Sequence, residues 1–209
     1  MLTPLSRQAH WFSAVFAAGT LSLTLILSPL GAGIAVAIGV LIQRSFFHTH
    51  KTKGMLFSLA IVACGYVLLS IRADFGLAMA LWFLGVVVMT DIAGYFAGRI
   101  LGGPKFWPRY SPKKTWSGAI GGWAAAMVFT LVLTLFVDLH QNQEWLVLMS
   151  FFLSFASQMG DISQSALKRA CNFKDSSTLI PGHGGFFDRF DGVIVATVAF
   201  GLLAHWVMY

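Results

Sequence analysis

At 209 residues, with 57% hydrophobic and only 11% charged side chains and a mean hydropathy of +0.75, the chain does not have the composition of a soluble globular domain. Its formal net charge of +6 would suit nucleic acid. The basic residues, however, fall in loops between apolar runs rather than along one soluble face, so no nucleic-acid partner is expected and anionic lipid or nucleotide fits better.

Taken in order, the apolar runs predict seven helical spans, at about 11–28, 31–47, 54–71, 75–98, 117–137, 145–160 and 191–208. These runs far exceed a barrel strand and show no strand-like alternation, which gives an all-α integral membrane protein, a polytopic bundle of about seven transmembrane helices. The first run follows Arg7 and precedes Gly31, Ala32 and Gly33, as a cleavable leader would, but the apolar runs directly after it favour a first span. No repeat or soluble appendage interrupts the pattern. A single membrane-embedded domain over 1–209 is expected, with N-terminal spans in 1–89 and both charged segments in 90–209. The cysteines, Cys64 and Cys171, form neither a disulfide framework nor a zinc-ligand pattern.

Charge polarity orients the bundle. Of the 14 basic residues, all but Arg72 fall on the side of the N-terminus, which the positive-inside rule makes cytoplasmic. Asp91, Asp161, Asp175, Asp188 and Asp191 lie in or beside the two long segments on that side, so the chemistry is expected to face the cytoplasm. Those segments, about 99–116 and 161–190, are joined by a two-span hairpin with a short outer turn and can therefore meet.

The later segment is dense in charge for a site beside hydrocarbon, where each ionisable group costs about 2.5–3.5 kcal/mol to insert, so a polar cavity with a ligand is expected. Asp161, Ser165 and Arg169 recur every four residues, which on a helix places them on one face with Lys168 alongside. Pro181-Gly182-His183-Gly184-Gly185 then supplies a tight turn, followed by Asp188 and Asp191 at i, i+3. Hard carboxylate oxygens in this number suit Mg²⁺, which keeps waters and shares its shell with substrate phosphates. The competing reading has Asp188 and Asp191 favouring a helix N-terminus, with Lys and Arg at lipid headgroups.

The earlier segment, Thr90 to Gly122, places Asp91 near a span's end and strings five cations among glycines and prolines. It reads as an anion-binding loop opening into a helix, with Lys113, Lys114 and Thr115 near that helix's N-terminus. An ordinary positive-inside loop is the alternative, and Tyr95, Trp107 and Trp116 read as interfacial aromatics. No Walker loop is present, and His10, His48, His50 and His140 lack metal-ligand spacing.

These residues resemble the phosphatidate cytidylyltransferase, or CDP-diacylglycerol synthase, family. Ser165, Lys168, Arg169, Lys174, Asp175, Ser177, Pro181, His183, Gly184, Gly185, Asp188, Arg189 and Asp191 meet the family signature at every position, and Asp91 through Gly121 resembles its second stretch. The resemblance implies transfer of CMP from CTP to phosphatidate, with release of pyrophosphate, in a prokaryotic cytoplasmic membrane. It implies Asp161 and Asp188 as leading Mg²⁺ ligands, with Asp191 a third ligand or a carboxylate that orients them. Lys168, Arg169 and Arg189 would grip phosphates. Ser111, Lys113, Lys114 and Thr115 would bind the triphosphate or the lipid phosphate, with Arg99 helping and Ser165 and Lys174 beside them. His183 is either a phosphate donor or a structural residue of the glycine turn.

Two departures stand out: Ser117 occupies a position where the family commonly has Glu, and the N-terminal half is short. They keep open a cytidylyltransferase for another lipid phosphate, such as an isoprenoid ether lipid, and an inactive lipid-binding homologue. A small transporter fits less well, because the charges gather at one face. A homodimer sharing a lipid-accessible face is also left open.

Overall fold

The structure, a computed structural model, describes residues 38–39, 51–108, 111–170 and 187–207. It divides after Leu69 into two units, and everything that follows on packing and on the site concerns the second, Ser70–Tyr209. The elements run α1 (Lys51–Asp74), α2 (Gly76–Ile100), β1 (Lys105–Trp107), β2 (Ser111–Thr115), α3 (Trp116–Leu133), α4 (Gln143–Ala170) and α5 (Phe187–Val207).

Three helices, Gly76–Ile100, Trp116–Leu133 and Gln143–Ala166, are long and apolar enough to cross a membrane, and the apolar stretch of α5, Phe190–Ala204, is shorter. The protein is thus mostly helical and a membrane protein. The spans expected at 54–71 and 191–208 fall in α1 and α5, whereas those at 11–28 and 31–47 lie outside the described residues apart from 38–39. Helix α2 shows why the chain needs lipid: it buries Met79, Trp82, Phe83, Val86 and Val87 on one side and exposes Leu77, Leu81, Leu84, Val88 and Ile92 on the other. A helix apolar all the way round has no water-facing side.

Packing between the helices relies on small residues and on hydroxyls that find partners across the bundle. Trp82 Nε1 donates to Thr130 Oγ1 at 2.9 Å, and Thr90 Oγ1 lies 2.8 Å from Ser154 Oγ. Phe200 of α5 meets Phe83 and Trp82 edge-on, with ring centroids 5.7 and 6.5 Å apart. Polar side chains inside hydrocarbon are tolerable when paired in this way.

The expectation of an all-α chain needs one correction. Between α2 and α3 the chain forms an antiparallel ribbon, pairing Lys105 with Thr115 and Trp107 with Ser111 across an irregular register. Gly102 and Gly103, at φ +63° and +104°, end α2 in the left-handed region that side chains avoid, and Pro104 prevents its continuation. Trp116 N–H donates to Pro104 O at 3.1 Å, and Phe106 packs edge-on against Trp116 at 4.5 Å, which ties the ribbon to the start of α3.

Thr115 caps α3: in extended conformation, it accepts the Gly118 N–H on Oγ1 at 3.2 Å. Thr115→Ala removes that acceptor and is expected to lower stability by about 1 kcal/mol, read as a small fall in melting temperature in detergent. An unchanged melting curve would show that the cap contributes nothing.

Candidate active site

The end of α2, the start of α3, the C-terminal half of α4 and the start of α5 come together at one end of the bundle. There a cavity of about 500 Å³ opens, lined by Asp91, Tyr95 and Arg99 of α2, Lys113, Lys114 and Thr115 of β2, Gln158 and Asp161 of α4, and Phe106 of the ribbon, among others. Its size lies in the range of small-molecule sites.

Among the described residues, the two charged segments meet where Lys114 reaches Asp161. Lys114 Nζ lies 2.6 Å from Asp161 Oδ2 and also donates to the Gln158 carbonyl oxygen at 3.4 Å. The pair is partly withdrawn from solvent, with the Lys114 side chain 32% and the Asp161 side chain 20% exposed. Asp91 of α2 lines the same cavity as both. Arg99 Nη1 donates to the Tyr95 hydroxyl at 2.7 Å, which orients the guanidinium from one helical turn away.

Of the residues singled out from sequence, Arg99, Lys113, Lys114, Thr115 and Asp161 therefore share one cavity. Ser111 is half-buried in β2 away from the lining, and Ser165 is half-buried one turn beyond Asp161 on α4. Asp191 adjoins the site: its carbonyl oxygen would meet a Cβ placed on Gly160 at 2.8 Å, and a Cβ on the following Gly192 would lie 3.0 Å from Asp161 Oδ1. Asp191 Oδ1 accepts the Gly192 N–H at 3.0 Å. Lys168 and Arg169 lie in α4, and Asp188 and Arg189 in α5, with side chains outside what is described; Lys174 and His183 lie outside the described residues altogether.

Sequence reasoning passed over Asp91 and Gln158 as site residues and gave Tyr95 to the membrane interface. The signal was present. Asp91, Tyr95 and Arg99 recur every four residues, as Asp161, Ser165 and Arg169 do, and so share a helix face.

Among the described residues, no three of His, Cys, Asp or Glu gather in one place. The donor set of the cavity is nevertheless that of a hard cation: two carboxylates, Asp91 and Asp161, with backbone oxygen nearby. Mg²⁺ takes only one or two carboxylates and completes its shell with water and phosphate oxygens, so these residues fit it.

The model of the cytidylyltransferase family matches residues 3–207, nearly the whole chain. The chain belongs to the cytidylyltransferase family. A phosphatidate cytidylyltransferase of Brucella suis is 41% identical over 194 residues, 88% of this chain and 71% of that protein. One of Staphylococcus epidermidis is 36% identical over 186 residues, covering 82% and 72% respectively. The Ser117 hydroxyl donates to the Gly102 carbonyl and lies 3.0 Å from Thr115 Oγ1. It joins the end of α2 to the start of α3 with no charge.

Proposed function

We propose that this chain transfers the CMP moiety of CTP to phosphatidate, giving CDP-diacylglycerol and pyrophosphate for phospholipid synthesis. The observation that carries the reading is the Lys114–Asp161 contact, which makes one cavity out of two cation- and carboxylate-bearing segments far apart in sequence. The names of the relatives favour phosphatidate over an isoprenoid ether lipid as acceptor.

A lipid phosphate oxygen attacks the α-phosphorus, a new P–O bond forms, and the bond to the bridging oxygen breaks with its electron pair leaving on pyrophosphate. No covalent enzyme intermediate is needed. Alignment and charge neutralisation carry the step. Lys113, Lys114 and Arg99 bring positive charge to the phosphates, and the N-terminal backbone groups of α3, with the positive end of its dipole, lie at the same end of the bundle. Thr115 keeps those groups in place by capping the helix.

Asp161 and Asp188 would hold Mg²⁺, with Asp191 a third ligand or the carboxylate that orients them, and the ion would supply Lewis-acid stabilisation of the charge that builds on the leaving group. Lys168, Arg169, Arg189, Lys174, Ser165, Ser111 and His183 complete the phosphate-binding set in this reading. The site faces the cytoplasm of a prokaryotic cell in a bundle of seven spans, and access for a lipid from the bilayer suits the outward apolar face of α2.

The test is turnover of labelled CTP with phosphatidate and Mg²⁺ by detergent-solubilised protein, with Asp188→Ala beside wild type. Wild type is expected to yield CDP-lipid, and Asp188→Ala to lower the rate by about 10²-fold or more while eluting as a folded monodisperse species. A mutant turning over like wild type would remove Asp188 from the site, and no product from folded wild-type protein would remove the reaction.

A further inference from the structure

Among the described residues, the cation that meets Asp161 is the ammonium of Lys114. Lys114 Nζ, 2.6 Å from Asp161 Oδ2, holds one of the two carboxylate oxygens through which Asp161 would bind a divalent ion. Its second bond, to the Gln158 carbonyl at 3.4 Å, holds it against α4. Asp91 of α2 lines the same cavity.

We propose that Lys114 is the resident counter-ion of the Asp161 cation site, displaced when a divalent ion binds there with Asp91 as a further carboxylate, so that metal and nucleoside triphosphate bind with mutual reinforcement. This rests on the reading that Asp161 holds the metal of a CTP-dependent transferase.

The physical argument is competition for the same lone pairs. A divalent ion arriving alone must take Asp161 from Lys114 and leave an unpaired ammonium beside a second positive charge. Both changes oppose binding. A triphosphate reverses this, since the released ammonium finds phosphate oxygens at the same place and the like-charge repulsion is screened by the anion itself. Each ligand then raises the affinity of the other by the same factor, as linkage requires. Asp91 gives the arrangement its sense: with Lys114 and Asp161 it makes a cluster of two carboxylates and one ammonium, a local excess of negative charge that suits a divalent ion even though Lys113 and Arg99 make the lining as a whole positive. Lys113 and Arg99 also line the cavity and stay available for phosphates, so the exchange of Lys114 does not strip the cavity of cations.

The experiment is a titration of the detergent-solubilised full chain with Mn²⁺ in the absence of nucleotide, reading free Mn²⁺ by electron paramagnetic resonance. Wild type is expected to bind Mn²⁺ weakly. Lys114→Gln and Lys114→Met, which remove the charge but keep most of the length of the side chain, are expected to bind it about tenfold more tightly, the scale of a close charge pair. Combining Lys114→Gln with Asp91→Asn, or with Asp161→Asn, is expected to cancel that gain.

Folded Lys114 variants that bind Mn²⁺ no better than wild type overturn the counter-ion role, and a gain that survives Asp91→Asn overturns the part given to Asp91. CDP-lipid formation by wild type is measured alongside. Its absence counts against the reaction proposed above, whereas turnover by wild type without a gain in the Lys114 variants counts against the counter-ion role alone.

Discussion

Asp161→Asn is expected to lower CDP-lipid formation by about 10²–10³-fold, the scale seen when one preorganised electrostatic group is lost from an active site, while the bundle stays folded. The substitution keeps the size of the side chain and an oxygen that can accept from Lys114, so the geometry at the β2–α4 contact has no reason to collapse. What it removes is the charge. A neutral amide holds neither Lys114 nor a divalent ion strongly, and the cavity is left with Arg99, Lys113 and Lys114 opposed only by Asp91 among its lining residues.

The stability effect is small by comparison. With Lys114 about a third exposed, solvent already screens the pair, and its contribution to folding is about 1 kcal/mol or less. Turnover and melting temperature, measured on the same preparation, separate the two. A large fall in rate with a nearly unchanged melting curve is the expected pattern, and Asp161→Asn within threefold of wild-type turnover would contradict the site.

The helices were legible because their signals are local. Spans read at 75–98 and 145–160 appear as Gly76–Ile100 and the first part of Gln143–Ala170, and the four-residue recurrence of Asp161, Ser165 and Arg169 correctly extends the second helix into polar sequence. The span read to 137 ends at Leu133 instead. Leu135 and Phe136 are apolar, so composition alone continues the run, yet both are exposed, at 73% and 82%, in the turn that follows.

The ribbon was not legible. A three-residue strand such as Lys105-Phe106-Trp107 is too short for alternation to register, and its pairing with Ser111–Thr115 is set by the glycines before it and the cap after it. The presence of a site could be read from charge at membrane depth, but its inner contact could not. Lys114 was assigned to phosphate and Asp161 to metal on separate grounds, and only folding shows the two 2.6 Å apart. Asp91 escaped for a related reason: one carboxylate at a span's end looks unremarkable until α4 brings a second beside it.

The frame of the site also includes the close approach of α2 to α3, and Gly118 is the point where a side chain would meet backbone most closely. A Cβ there would lie 2.6 Å from the Gly94 carbonyl oxygen, 3.3 Å from Gly98 Cα and 3.3 Å from Thr115 Oγ1. The first two are backbone atoms and cannot rotate away, so a methyl group must push the helices apart. Gly118→Ala is therefore expected to destabilise the protein by about 1–3 kcal/mol, the usual range for overpacking, and to lower its melting temperature by several degrees.

Turnover is expected to fall as well, by about tenfold or more, since Gly118 lines the cavity and displacement of reacting groups by even 1 Å can cost up to 10²-fold. Gly85→Ala is the matched control on the same helix pair. Its added methyl meets the ring of Phe129, the far end of a side chain that can shift, well away from the cavity. If both variants melt and turn over alike, the α2–α3 approach at Gly118 is not part of the frame that holds the site. If only Gly118→Ala loses rate, the glycine contact is part of that frame.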